Sequence, residues 1–325
     1  MKICARQTLF SSLVIASIAL LACSFSVMAN DLQRIPGTSV SLVPMDGLKS
    51  SAGFAGLIGD DGDAIMVDEL APEVYEQFMQ AAKNPVKELA PLLAEEDIDL
   101  QQVEEMTADN GEKFLLLTGR QGPFSKWAAL FKGQQTVLVT AQSLSAKDSE
   151  AAVKKMMMSV RAGGPVSLEE QIAALPFDLK LVAPFRFGPA HGGASIGMTI
   201  GPKDVDPENI QPWIIVSYEV QPVANLQTLE QVAESHLVDP RRYVNAHVDA
   251  REKSTVAGIA GIVLSGAYDG EVGGPPRPKK FAMYLAIAPS GRSVVVTAIA
   301  DQDQFDTLKP AFDDVARSIE IKQGY

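Results

Sequence analysis

Two hydrophobic periods run along this chain, one of two residues and one of three to four. Short runs rich in β-branched and aromatic residues predict strands at 38–43, 64–67, 127–131 and 136–141. A second set is predicted at 212–220, 244–250, 259–267, 281–287 and 293–299. Asn110-Gly111 predicts a tight turn between two strands, because both residues accept a positive φ. Helices are predicted at 72–82, 145–160, 226–237 and 303–319. In the first, Pro72 takes the opening position and Val74, Phe78 and Ala82 share a face. The second is capped by Ser145, with Asp148 three residues on. In the last, Phe305, Leu308, Phe312, Val315 and Ile319 form a buried stripe, and Pro310 predicts a kink or a late start.

The elements come in the same order twice. Phe114 to Gly119 is echoed by Gly261 to Gly266, and Val137 to Ala141 by Val294 to Ala298. Met158-Ser159-Val160 closes the first half as Arg317-Ser318-Ile319 closes the second. Ala162-Gly163-Gly164-Pro165 marks the joint, and Ser167 to Glu170 reads as a capping box opening a short helix. The expected division is 30–163 and 167–325, with 164–166 as linker. Strands that follow one another across short turns predict antiparallel sheets, and helices at the ends of the strand runs predict an α+β fold.

The first thirty residues change the picture of location. Lys2 and Arg6 precede an uncharged apolar run from Thr8 to Ala22, and Val27-Met28-Ala29 offers a cleavage site before Asn30. Residues 1–29 therefore read as a secretory signal. Leu20-Leu21-Ala22-Cys23 offers a second reading, a lipobox whose Cys23 carries a lipid anchor. Cleavage at Ala29 removes Cys4 and Cys23, the two cysteines of the chain, and with them any disulfide or thiolate chemistry. The formal charge of −12 argues against nucleic acid and anionic lipid surfaces as partners.

Tyr284-Leu285, Gly291-Arg292, Val294 to Thr297, Phe305, Phe312 and Arg317-Ser318-Ile319 resemble the C-terminal half of PsbP-like domains. That fold is shared with a Ran-binding protein of yeast and with bacterial envelope proteins such as DcrB. Gly133, Val137 to Thr140 and Ser159-Val160 repeat the ending in the first half. The resemblance implies an α/β/α sandwich around an antiparallel sheet, built twice in tandem, in a family that is generally non-enzymatic and binds or stabilises partners. Its motif consists of core and turn residues and so speaks to fold.

Candidate chemistry is sparse. Asp60-Asp61-Gly62-Asp63 starts like a calcium loop, but Ile65 and Val67 break the ligand ladder, leaving a solvated turn. Glu95, Glu96, Asp97, Asp99, Glu104 and Glu105 read as a solvated helix and loop face. His236 and His247 lie near Glu234, Asp239 and Asp249 without zinc spacing, and alternation turns His247 and Asp249 to solvent. His191-Gly192-Gly193 lacks the Lys-Ser/Thr of a phosphate loop. Thr118-Gly119 and Ser265-Gly266 read as strand ends that bend. Gly273 to Lys280 is a basic, Pro-rich loop, read either as a docking finger or as a stiffened connection. Met156-Met157-Met158 could serve as a soft binding surface, but on a closing helix such a stripe reads as core.

No catalytic, cofactor-binding or metal residue is assigned, and no cofactor is expected. The expectation is a non-catalytic, exported binding or assembly protein of the bacterial envelope. Its partner is an unknown envelope protein or small ligand, and its membrane contact is only through a lipid on Cys23. A lipid-anchored envelope stress or assembly factor and a periplasmic hydrolase are the alternatives. The binding reading expects exposed aromatics such as Trp127, Trp213 or Tyr268; the hydrolase reading expects one of the three histidines beside a Ser or carboxylate in a pocket.

Overall fold

The computed structural model describes residues 32–50, 54–59, 62–94, 97–144, 146–191, 193–203, 206 and 209–323. The expected signal segment, with Cys4 and Cys23, lies outside them, as do Asp60, Asp61, Glu95, Glu96, Ser145 and Gly192. Among the described residues no helix is long and apolar enough to cross a membrane.

The first half runs β1 (Gln33–Arg34), β2 (Val40–Leu42), β3 (Lys49–Ser50), β4 (Gly56–Ile58), β5 (Ala64–Leu70), α1 (Glu73–Ala81), α2 (Pro85–Glu88), α3 (Ala90–Ala94), β6 (Asp99–Thr107), β7 (Lys113–Gln121), β8 (Phe124–Phe131), β9 (Thr136–Ser143), α4 (Ala146–Ser159) and β10 (Arg161–Ala162). The second half runs α5 (Leu168–Ala174), β11 (Phe177–Asp178), β12 (Arg186–His191), β13 (Ser195–Thr199), β14 (Trp213–Pro222), α6 (Leu226–Leu237), β15 (Tyr243–Val244), β16 (His247–Val256), β17 (Ile259–Tyr268), β18 (Gly270–Glu271), β19 (Lys279–Ile287), β20 (Arg292–Asp301), α7 (Gln302–Ser318) and β21 (Glu320–Ile321).

Each half is built on a seven-stranded antiparallel sheet, ordered β3-β4-β5-β9-β8-β7-β6 in the first and β12-β13-β14-β20-β19-β17-β16 in the second. The two orders are one topology. The registers agree as well: Ile65 faces Ala141 as Ile214 faces Ala298, and Trp127 faces Ala141 as Ala282 faces Ala298. A bulge lies between Leu100 and Gln102 in β6 and between Val248 and Ala250 in β16, opposite Thr118-Gly119 and Ser265-Gly266 respectively. These glycines are therefore inside long strands, not at strand ends. A Cβ on Gly266 would stand 2.0 Å from the His247 carbonyl oxygen, and one on Gly119 2.7 Å from that of Asp99, so the bulged partner strand leaves no room.

Helices cover both faces of each sheet. On one face of the first, α4 sets Val153, Met156 and Met157 against Phe114, Leu116, Trp127 and Val139, with the Phe114 and Phe131 rings stacked at 4.7 Å. The methionines are core, as their spacing predicts. α7 does the same in the second half with Phe305, Phe312 and Val315. The opposite faces carry Leu89 and the α1 side chains Tyr75 and Phe78 in the first half, and Leu229, Ala233 and Leu237 of α6 in the second. The result is an α/β/α sandwich twice over.

The closing serines fix the ends alike. Ser159 Oγ donates to Met156 O (2.6 Å) and accepts from Val43 N (2.8 Å); Ser318 Oγ donates to Val315 O (2.9 Å) and accepts from Lys180 N (3.3 Å). Ser167 accepts from the Glu170 amide at 3.2 Å, the first half of the expected capping box.

Three expectations need correction. The acidic stretch 97–105 is largely the edge strand β6, whose Glu104 pairs with Lys154 (2.8 Å) and Glu105 with Lys113 (2.6 Å); charge on an edge strand opposes pairing with other chains. The run 244–250 is two strands, interrupted at Asn245, where φ is 54°. α7 continues unbroken through Pro310.

Candidate functional site

The repeat gives a ruler for finding what differs between the halves. On the sheet face under α6, Trp213, Phe281 and Ile299 belong to one apolar cluster, with Phe281 and Ile299 buried. Cross-strand pairing makes their counterparts in the first half Ala64, Lys126 and Gln142. A large ring has become a methyl, and two buried apolar side chains have become polar. Side chains of α1 and α3, with Leu89 before α3, pack with Leu115, Leu117 and Leu130 on this face, and none of them lines the Lys126 end.

What remains is a cleft of about 370 Å³ at the junction of the halves. Its floor is Ala64, Met66, Lys126, Thr140 and Gln142 of the first sheet, with Ile58 and Phe54 to one side; Pro222 and Arg292 of the second half close the other. Asp63 lines the cleft as well. Clefts of this size at domain junctions are common seats for small molecules.

Lys126 sets the electrostatics. Its Nζ donates to Gln142 Oε1 at 2.6 Å and lies 5.9 Å from the centre of the Phe124 ring. Gln142 is held in turn, its Nε2 donating to Gly62 O at 3.2 Å. Burial pushes the Lys126 ammonium below the usual lysine range, and among the described residues no ion pair offsets it. A half-buried cation whose partners among the described residues are neutral is unusual in a protein of charge −12. The arrangement can hold an anion beside an apolar wall.

The equivalent place in the second half is smaller. A cleft of about 180 Å³ is lined by Gly197, Thr199, Trp213 and Ile215. Lys203, Asp206 and Gln211 line it too: Asp206 Oδ2 accepts from the Ile210 and Gln211 amides (both 2.6 Å), and Gln211 Nε2 donates to Lys203 O (2.8 Å).

Other sequence candidates fare differently. The basic loop turns its charge inward. Arg277 makes a two-pronged pair with Asp301 (2.9 and 2.6 Å), and Lys279, 2% exposed, reaches the same carboxylate at 2.7 Å. The loop is thus a stiffened connection anchored on Asp301. His247 stands exposed, with Nδ1 2.9 Å from Asn245 O and Nε2 3.2 Å from Asp249 Oδ1. His236 is exposed at the end of α6. Among the described residues no three His, Cys, Asp or Glu side chains converge to hold a metal. Asp63 O accepts from Gly59 N (2.8 Å), and Gly62 has φ 84°.

The expectation of exposed aromatics is overturned. Trp127 and Tyr268 are buried, the first because β8 turns it toward α4, the second because it packs on Tyr243 with ring centres 4.7 Å apart. Trp213 is half-buried, its Nε1 donating to Asn209 Oδ1 at 2.9 Å. Lys126 was missed. Its signal in the sequence is a single charge in the run Phe124 to Phe131, on the face shared with Ala128 and Leu130.

No family model matches the chain, and no curated protein matches it. Solved structures are similar in part. LpqN of Mycobacterium tuberculosis, described as involved in cell envelope biogenesis, is 21% identical over 45% of this chain and 83% of its own, with a TM-score of 0.33. The cyanobacterial PsbP of Synechocystis sp. PCC 6803 is 14% identical over 45% of this chain and 87% of its own, with a TM-score of 0.30. The type VI secretion (T6SS) immunity protein TplEi of Pseudomonas aeruginosa is 11% identical over 84% of this chain and 96% of its own, with a TM-score of 0.30.

Proposed function

We propose that this chain is an exported, non-catalytic binding protein of the bacterial envelope, and that its binding seat is the cleft between its halves. The observation that carries the reading is the departure from the repeat at Ala64, Lys126 and Gln142, which opens the cleft and places a cation in it. Residues 1–29 are the export signal in this proposal, and 30–163 and 167–325 are two tandem PsbP-like units that form its walls. The Leu20 to Cys23 sequence supports the anchored variant of the same function, and the mass of the mature N-terminus separates the two.

The test is photocrosslinking in intact cells from a photoreactive residue placed at Thr140, with a control at exposed Lys253. The expected outcome is a discrete adduct, identified by mass spectrometry, from Thr140 and none from Lys253. No adduct from Thr140, and none from a second position at Met66, overturns the assignment of the cleft.

A further inference from the structure

We infer that the junction cleft takes a small amphipathic carboxylate of the fatty-acid type, its headgroup on Lys126 and its tail along Ile58, Ala64 and Met66. This rests on the cleft being the binding seat and names what sits there.

The headgroup follows from charge. Among the described residues Lys126 is the one cation on the floor, and its partners there are an amide oxygen and a ring face. An ammonium has three donors and no acceptor, so a carboxylate oxygen could join Gln142 Oε1 in its shell without displacing it. Arg292, which already has an interaction of its own, lines the opposite wall, and the Asp63 carboxylate lines the cleft as well. That balance suits one negative charge. A phosphate dianion asks for more donors than one lysine supplies.

The tail follows from the remaining surface. Ile58, Ala64, Met66 and Pro222 are apolar, while Thr140 faces Met66 and Ala128 across its two neighbouring strands, two residues along from Gln142 opposite Lys126. The substitution of Ala64 for the tryptophan of the second half clears the length of the floor. The volume of about 370 Å³ is at the small-molecule end of binding sites, too little for a folded partner to enter.

The experiment uses the mature two-half protein, titrated calorimetrically with sodium octanoate and, separately, with 1-octanol, which has the same tail without the charge. One octanoate per chain is expected, with octanol at least about tenfold weaker, the worth of a charge-assisted hydrogen bond. Lys126→Met should weaken octanoate at least about tenfold and leave octanol unchanged or tighter, while Lys126→Arg should keep the preference. Thr140→Trp fills the cleft while leaving the lysine in place and should abolish both. Thermal melts of each variant establish that it is folded. Equal affinity for the two ligands, or octanoate binding unchanged in Lys126→Met, overturns the carboxylate assignment. Binding of neither ligand overturns it too, and the Thr140 crosslink then decides the broader reading independently.

Discussion

The most demanding single residue in the fold is Lys279. It is 2% exposed, and its charge is met by Asp301 at 2.7 Å and by the Asn209 carbonyl. The Arg277 guanidinium, followed by Lys279, holds the Asp301 carboxyl well down, at about 2, against the desolvation that would raise it. A carboxyl whose folded value is depressed contributes stability that is complete above its unfolded value of about 3.9 and is lost as pH falls toward the folded value. Unfolding free energy should therefore fall between about pH 4 and pH 2, and Asp301→Asn should remove that part of the fall. At neutral pH the same substitution strands a buried ammonium and should cost about 3–5 kcal/mol. Asp306→Asn breaks only the exposed pair with Lys280 and should cost under about 1 kcal/mol. Urea unfolding of the three proteins across this pH range checks both statements. At this scale the sequence speaks clearly where a period governs, as for Phe305, Phe312 and Val315. It is silent on Lys126, whose meaning depends on which residues face it across two strands. The basic loop carries the same lesson, because only the fold brings Asp301 to Arg277 and Lys279.

At the scale of elements, helices with a strong apolar stripe and strands with clean alternation can be read from the chain. β6 cannot, since Asp99, Glu104 and Glu105 hide its alternation, and an edge strand is where such charge belongs. Nor can the break at Asn245, where one left-handed residue splits a strand that alternation would continue. Pro310 misleads in the opposite sense. A proline inside a helix removes one hydrogen bond, to the carbonyl four residues back, yet α7 runs through it. The side chain is exposed and so is Asp306, whose carbonyl is left over, so water can satisfy that group on the outer face of the helix. The cost remains. Pro310→Ala should raise stability by about 2 kcal/mol, the helix penalty of proline less what its stiffness saves in the unfolded chain. A denaturant midpoint that does not move would show that α7 bends enough to absorb the ring.

At the scale of the whole molecule, the duplication is legible because turn glycines, core strands and the closing serine recur, and these are the positions on which an isolated half depends. The docking of one half on the other leaves no periodic trace. It rests on close approach. A Cβ on Gly193, in the second half, would stand 2.7 Å from the Ala55 amide nitrogen in the first, and one on Gly37 would stand 2.9 Å from Ala174 Cβ. Arg34 and Glu170 pair across the same junction at 2.9 Å. Gly193 also has φ 61°, so Gly193→Ala combines backbone strain with a clash between the halves. Gly47 separates the two effects, because it has φ 82° with nothing within 4 Å of a Cβ. Both alanine variants should lose about 1–2 kcal/mol to backbone strain. Only Gly193→Ala should move the halves apart, seen as a larger radius of gyration in solution scattering and faster proteolysis at 163–166. Since Pro222 and Arg292 are the far wall of the cleft, the same variant should also weaken whatever the cleft holds, although it touches none of the floor residues. An unchanged radius with lost binding would mean that Gly193 acts on the cleft without moving the halves, and the wall would then have to be sought on the first half alone.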